Sequence, residues 1–231
     1  MKTVIDKIKS GKDALVVGGA NGVGLIVAMT LAQHCRVTII DKSTPTISNF
    51  PYAHNIEYIE FNLLSKDFSL FDKFENVDKL IITAGFGKLA LFEDNTEDML
   101  ISMMNVNATA VMCIIQHFYP RILAREHFYC AVMVSIAGFI SSPFFAVYGA
   151  SKGALKIFIE SLNVELLKSG TTNQILNVSP GALKGTSFSG GRTNVTQVQP
   201  FATELIVRMM NKEDLWIPQY NEVYKHVLDV I

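Results

Sequence analysis

Two side chains in this sequence stand at a spacing that does chemistry. Tyr148 and Lys152 are four residues apart in "YGASK", so on a helix they share one face and bring an ammonium beside a phenol. A nearby positive charge favours phenolate and is expected to lower the tyrosine pKa from its reference of about 10. Such a tyrosine exchanges a proton with a substrate oxygen near neutral pH, as general acid–base catalysis requires. A third group strengthens the pair. Ser135 lies thirteen residues before the tyrosine, where the apolar run "CAVMVS" ends, and its hydroxyl is suited to bind the same substrate oxygen.

The elements that must position these groups follow from patterning. Short apolar strands alternate with helical segments, and no repeat or Gly/Ser/Pro-rich linker interrupts them, so the pattern predicts an α/β domain with a mostly parallel, doubly wound sheet of about seven strands and helices on both faces. Strands are expected at 14–18, 37–41, 56–61, 80–83, 131–135, 174–179 and near 215–218. Most are continuously hydrophobic, as strands covered on both faces should be. Helices are expected at 23–33, 96–124 with a break near Asn105, 148–168 and 200–210. All 231 residues are assigned to one domain. The polar stretch 186–199, "TSFSGGRTNVTQVQ", has no periodicity and follows the sixth strand, which makes it a candidate lid over a site. Ser135 then falls at the C-terminal edge of the sheet, where open parallel sheets bind ligands.

A nucleotide-binding turn fits the same edge. The first strand runs into "VVGGANGVGLIVA", where Gly18, Gly22 and Gly24 permit a tight turn, close approach to a pyrophosphate and close helix packing. The helix that begins there at Val23 directs free N–H groups and the positive end of its dipole at the anion, and the neutral Asn21 in the glycine turn agrees with NAD. The second strand ends at Asp41, seventeen residues after Gly24, where a carboxylate accepts hydrogen bonds from an adenosine ribose. A 2′-phosphate there would meet a repulsion of about 4 kcal/mol at intermediate dielectric. Asp41 therefore favours NAD; Lys42 beside it keeps NADP as the alternative.

With these residues in order, the sequence resembles the short-chain dehydrogenase/reductase family from about Ala14 to Thr186. Gly18, Gly22 and Gly24 match the family's TGxxxGxG, with Val17 in place of threonine; Ser135, Tyr148 and Lys152 match its serine, tyrosine and lysine at the family spacing. Asn107 in "NATAVMCIIQ" resembles the family's helix asparagine, with Ala110 in place of glycine. The resemblance implies a Rossmann-like fold and an NAD-dependent oxidoreductase acting on a secondary alcohol or ketone. Tyr148 would be proton donor or acceptor, Ser135 would orient the substrate oxygen, Asn107 would help hold a water-linked proton relay, and Lys152 would hold the nicotinamide ribose as well as tune the phenol. It extends the cofactor set to Asn62 and Leu63 after the third strand, Ala84 and Gly85 after the fourth, and Pro180, Gly181 and Leu183 after the sixth. Three departures accompany it: "ITAG" replaces NNAG, Asn62 replaces an aspartate, and the threonine after Pro180 and Gly181 comes one residue late, at Thr186. An NADPH-dependent carbonyl reductase and a non-catalytic dinucleotide sensor are the alternatives. The resemblance also implies a homodimer or homotetramer, with a dimer through the long helices around Asn107 and Tyr148.

Other classes are disfavoured. A balance of 20 basic to 21 acidic residues, with no basic block, does not suit nucleic acid. Three cysteines without CxxC spacing indicate neither a disulfide framework nor a zinc site, and the five histidines have no HxxxH spacing, so no metal is expected. "VSIAG" around Ser135 is not the GxSxG elbow of a serine hydrolase. The uncharged run 128–151 is long enough for a membrane span, yet its serines, glycine and proline read as strand and loop. No signal peptide is read at the N-terminus, and a cytoplasmic location is expected.

Overall fold

The computed structural model describes residues 2–47, 49–124, 126–186, 188 and 192–228. Seven strands form one sheet: β1 (Asp13–Val17), β2 (Val37–Asp41), β3 (Ile56–Glu60), β4 (Val77–Ile82), β5 (Tyr129–Met133), β6 (Ile175–Val178) and β7 (Leu215–Trp216). Their order is β3-β2-β1-β4-β5-β6-β7, and every pairing is parallel. The order reverses between β1 and β4, which opens a crevice at their C-terminal ends.

Both faces are covered. Alternate residues of each strand point to opposite sides, so Val16, Ile39, Ile81 and Val178 join one core with α2 (Gly22–Ala32) and α6 (Val195–Met210). Leu15, Ile40, Leu80 and Val132 join another with α4 (Ala110–Leu123) and α5 (Ala146–Ser169). The doubly wound expectation holds.

Several local expectations are corrected. A helix α1 (Lys2–Ser10) precedes the first strand; Val4 and Ile8, one turn apart, are buried in the first core. β4 begins three residues earlier than expected because Asp78 and Lys79 are buried at its start. They are ion-paired, Lys79 donates to the Lys12 carbonyl at 2.7 Å, and the Lys12 N–H donates to Asp78 at 2.8 Å. Near Asn105 the helix widens instead of breaking: α3 (Glu97–Met104) passes through one π turn, Asn105–Thr109, into α4. The continuous rod Glu97–Leu123 is long and apolar enough, by length and composition, to cross a membrane; here it packs against α5. The uncharged run 128–151 divides into β5, a 3-10 turn at Ile136–Gly138 and the first turn of α5. In the expected lid, 187 and 189–191 lie outside the described residues, and α6 already begins at Val195, capped by the Asn194 side chain, which accepts from the Gln197 N–H.

Candidate active site

The crevice between β1 and β4 is built by close backbone contact. Gly18 turns the chain at φ 87°, and a Cβ there would lie 2.3 Å from the Ala84 nitrogen. A Cβ on Gly24 would lie 2.3 Å from both the Gly18 carbonyl oxygen and Thr83 Oγ1. Thr83 also donates to the Gly18 carbonyl at 3.0 Å, so within "ITAG" a threonine ties the end of β4 to the glycine turn. The sequence shows only a missing asparagine at this point. Gly24→Ala is expected to destabilise the fold by about 2 kcal/mol, since the Gly18 backbone carbonyl cannot yield, and to weaken dinucleotide binding at least tenfold; a melting curve and an NADH titration of the variant check both.

At the start of α2, Asn21 is extended and its side chain does not cap the helix, so the opening N–H groups turn toward the crevice. One of them, on Gly22, donates to Thr193 Oγ1 at 2.7 Å; an anion bound there would take the place of that hydroxyl. Val23 is buried beneath. Asp41 reaches the same turn: its two carboxylate oxygens accept the Ala20 and Ser43 N–H groups, each at 3.0 Å. Asn62 is exposed after β3 and accepts from the Leu64 N–H at 3.0 Å, while Leu63 packs against the second core. An uncapped helix start, a close-packed glycine turn and a carboxylate at the neighbouring strand end suit the pyrophosphate and ribose of a dinucleotide.

Ser135, Tyr148, Lys152 and Asn107 all gather at the sheet edge beyond β5. Ser135 accepts from the Ala137 N–H at 3.1 Å and faces the Pro180 carbonyl at 3.5 Å; its hydroxyl is near enough to the Tyr148 phenol to favour the phenolate. The Tyr148 ring is flanked by Phe145 and Phe188, each with its centroid 5.6 Å away. Lys152 Nζ donates to the Met133 carbonyl at 2.9 Å and lies 5.9 Å from the Tyr148 ring centre. Asn107 is fully buried on the π turn. Its amide accepts from Phe86 N–H at 3.0 Å and donates to Phe86 O at 2.8 Å and Ser151 Oγ at 3.1 Å, and Ser151 donates to the Tyr148 carbonyl at 2.7 Å. Asn107 thus fixes the loop after β4 to the first turn of α5, and Gly85 lies against both it and Lys152.

The electrostatics differ from the sequence expectation. Burial pushes the Tyr148 phenol up, and the nearby Ser135 hydroxyl offsets part of that rise. Lys152 does not lower it: with its ammonium directed at the Met133 carbonyl, burial pushes Lys152 itself down to about 8. Pro180, Gly181 and Leu183 follow β6. The Pro180 carbonyl accepts from Ile136 N–H at 2.9 Å, the Tyr224 hydroxyl lies against Gly181, and Leu183 packs on the first core while its carbonyl accepts from Thr186 Oγ1 at 3.0 Å. Tyr224 was not foreseen, because nothing in the C-terminal sequence ties it to that turn.

The family model for short chain dehydrogenases matches residues 12–195. The chain belongs to the short chain dehydrogenase family. Among curated proteins, this short chain dehydrogenase is 29% identical over 167 residues to Dehydrogenase RED2 of Cochliobolus heterostrophus, a match covering 70% of this chain and 63% of that relative's length. Among solved structures, a short-chain dehydrogenase from Streptomyces avermitilis superposes with a TM-score of 0.79 at 20% identity, covering 95% of this chain and 94% of the other. Another, from Sphingobium yanoikuyae in complex with NADPH, does so with a TM-score of 0.78 at 20% identity over 95% and 92%. At that identity the likeness is one of fold.

Proposed function

We propose that this short chain dehydrogenase is an NAD-dependent oxidoreductase that moves hydride between the nicotinamide and a secondary alcohol or ketone, with the proton passing through Tyr148. The observation that carries the reading is the buried Tyr148 side chain beside buried Ser135 at the crevice edge, with the Lys152 ammonium 5.9 Å from its ring centre. A nicotinamide dinucleotide, when bound, supplies or accepts the hydride. In the reductive direction Tyr148 gives its phenolic proton to the carbonyl oxygen as the C–H bond forms; in the oxidative direction it takes that proton from the alcohol. Ser135 holds the substrate oxygen within reach. Lys152 holds ribose hydroxyls, and Asn107 fixes the helix turn that carries Tyr148.

The Asp41 carboxylate at the end of β2 favours NAD. NADPH is the second reading, favoured by Lys42 beside it and by the two backbone N–H groups that already engage the carboxylate. Parallel fluorescence titrations with NADH and NADPH decide between them: NADH is expected to bind at least tenfold more tightly. A preference for NADPH would reverse the assignment of Asp41, and no binding of either would remove the oxidoreductase reading. The outer face of α5 exposes Ile157 and Val164, which suits a contact between copies of the chain.

A further inference from the structure

Exposed apolar side chains lie on the segments next to the aromatic flank of Tyr148. Phe145 and Phe188 contact the ring on either side. The segment after β4 is fixed alongside, with Gly87 against both Tyr148 and Phe188 and the Ala90 N–H donating to the Phe144 carbonyl at 3.2 Å. Between those two anchors Leu89 is 68% exposed; Phe144 is 51% and Phe188 49% exposed. Exposed leucine and phenylalanine side chains on the segments that touch Tyr148 suit an apolar ligand.

Phe144 adds a second, independent observation. Its φ is 66°, in the left-handed region where a bulky side chain is strained by about 1 kcal/mol or more. A glycine would sit there without cost, so the strain is retained together with an exposed aromatic ring. Behind it, Phe145 lines a cavity of about 510 Å³ with Ala137, Phe139, Ile140, Pro143 and Ala146, and none of the lining residues is charged. That volume suits an organic group of moderate size. Lys88 is the one charged side chain in the segment 86–92.

We propose that the substrate is an uncharged ketone or secondary alcohol with one large apolar substituent, which rests on the surface formed by Leu89, Phe144, Phe145 and Phe188 while its oxygen meets Ser135 and Tyr148. This rests on the oxidoreductase reading above and adds the substrate class. Charged head groups are not selected, and small ketones lack the part that binds.

The test compares kcat/KM for acetone, 2-octanone and 2-acetylnaphthalene, with the preferred dinucleotide saturating. A rise of about 100-fold from acetone to the naphthyl ketone is expected, the ratio that burying one large apolar group gives. Phe144→Gly, which relieves the backbone, and Leu89→Ser should each lower the naphthyl-to-acetone ratio of kcat/KM about fivefold. Turnover of all three ketones at equal kcat/KM would overturn the substrate class but leave the oxidoreductase reading standing. Faster turnover of the carboxylated ketone 6-acetyl-2-naphthoate than of 2-acetylnaphthalene would overturn the claim that the substrate is uncharged. If no ketone turns over, the oxidoreductase reading fails, and calorimetric binding of the same ketones to the wild-type protein decides the surface: preference for the naphthyl compound supports it, equal weak binding overturns it.

Discussion

Tyr148→Phe is expected to lower turnover of any ketone or alcohol by about three orders of magnitude, the middle of the range for losing a positioned acid–base group, while dinucleotide affinity stays within a few-fold. Phenylalanine keeps the ring contacts with Phe145 and Phe188, so a loss of rate cannot be assigned to a collapsed site. The direction of the Tyr148 pKa sets the pH profile. Because burial raises it, the free protein carries the protonated phenol at neutral pH. The acid needed for ketone reduction is present there, and the base needed for alcohol oxidation is scarce. Reduction is therefore expected to hold through neutral pH and decline in alkali, whereas oxidation climbs with pH. Steady-state rates of both directions across pH 6–10 measure this, and a Tyr148→Phe protein retaining a tenth of the wild-type rate would remove the tyrosine from the proton path.

The parts of the fold that sequence reading reached are those where one chemical pattern has one structural meaning. Continuous apolar runs such as "ALVV" and "VTII" have to be covered on both faces, so a parallel sheet followed. The glycine turn and the Ser135, Tyr148 and Lys152 spacing placed the crevice and its edge. Where a local pattern meets a long-range partner, the reading failed. The apolar pattern starts the fourth strand at residue 80 rather than 77, because the pairing of Asp78 and Lys79 with each other and with the Lys12 backbone is set by the neighbouring turn. The π turn at Asn107 depends on the Phe86 backbone and Ser151, neither adjacent to it in sequence. Spacing placed Lys152 beside Tyr148 correctly, but the direction of its ammonium is decided by the Met133 carbonyl at the end of a different strand. The Thr193 hydroxyl on Gly22 is likewise a tertiary contact, from a segment whose composition reads only as polar.

Lys152→Met is expected to make the protein more stable at neutral pH and nearly inactive. In the native chain burial moves the ammonium from its ordinary 10.5 to about 8, a penalty of about 3 kcal/mol on the charged form at about 1.4 kcal/mol per tenfold change. Below pH 8 the lysine is protonated in both folded and unfolded states, so the whole penalty is present. Between about 8 and 10.5 the unfolded chain binds the extra proton, stability rises with pH, and above that range the penalty is gone. Methionine removes the charge and most of the volume change, and it leaves the Met133 carbonyl short of one donor at a cost of about 1 kcal/mol. The net expectation is a gain of about 2 kcal/mol at pH 7 that disappears by about pH 10.5, read from chemical denaturation at several pH values. Turnover should fall at least about 100-fold and dinucleotide affinity about tenfold, because the ammonium is assigned to the nicotinamide ribose and so to the placement of the reacting ring. A variant that is less stable than wild type at pH 7 would show that the lysine is held for packing. The expected pairing, greater stability with lost activity, would show instead that a costly buried charge is kept for the chemistry it performs.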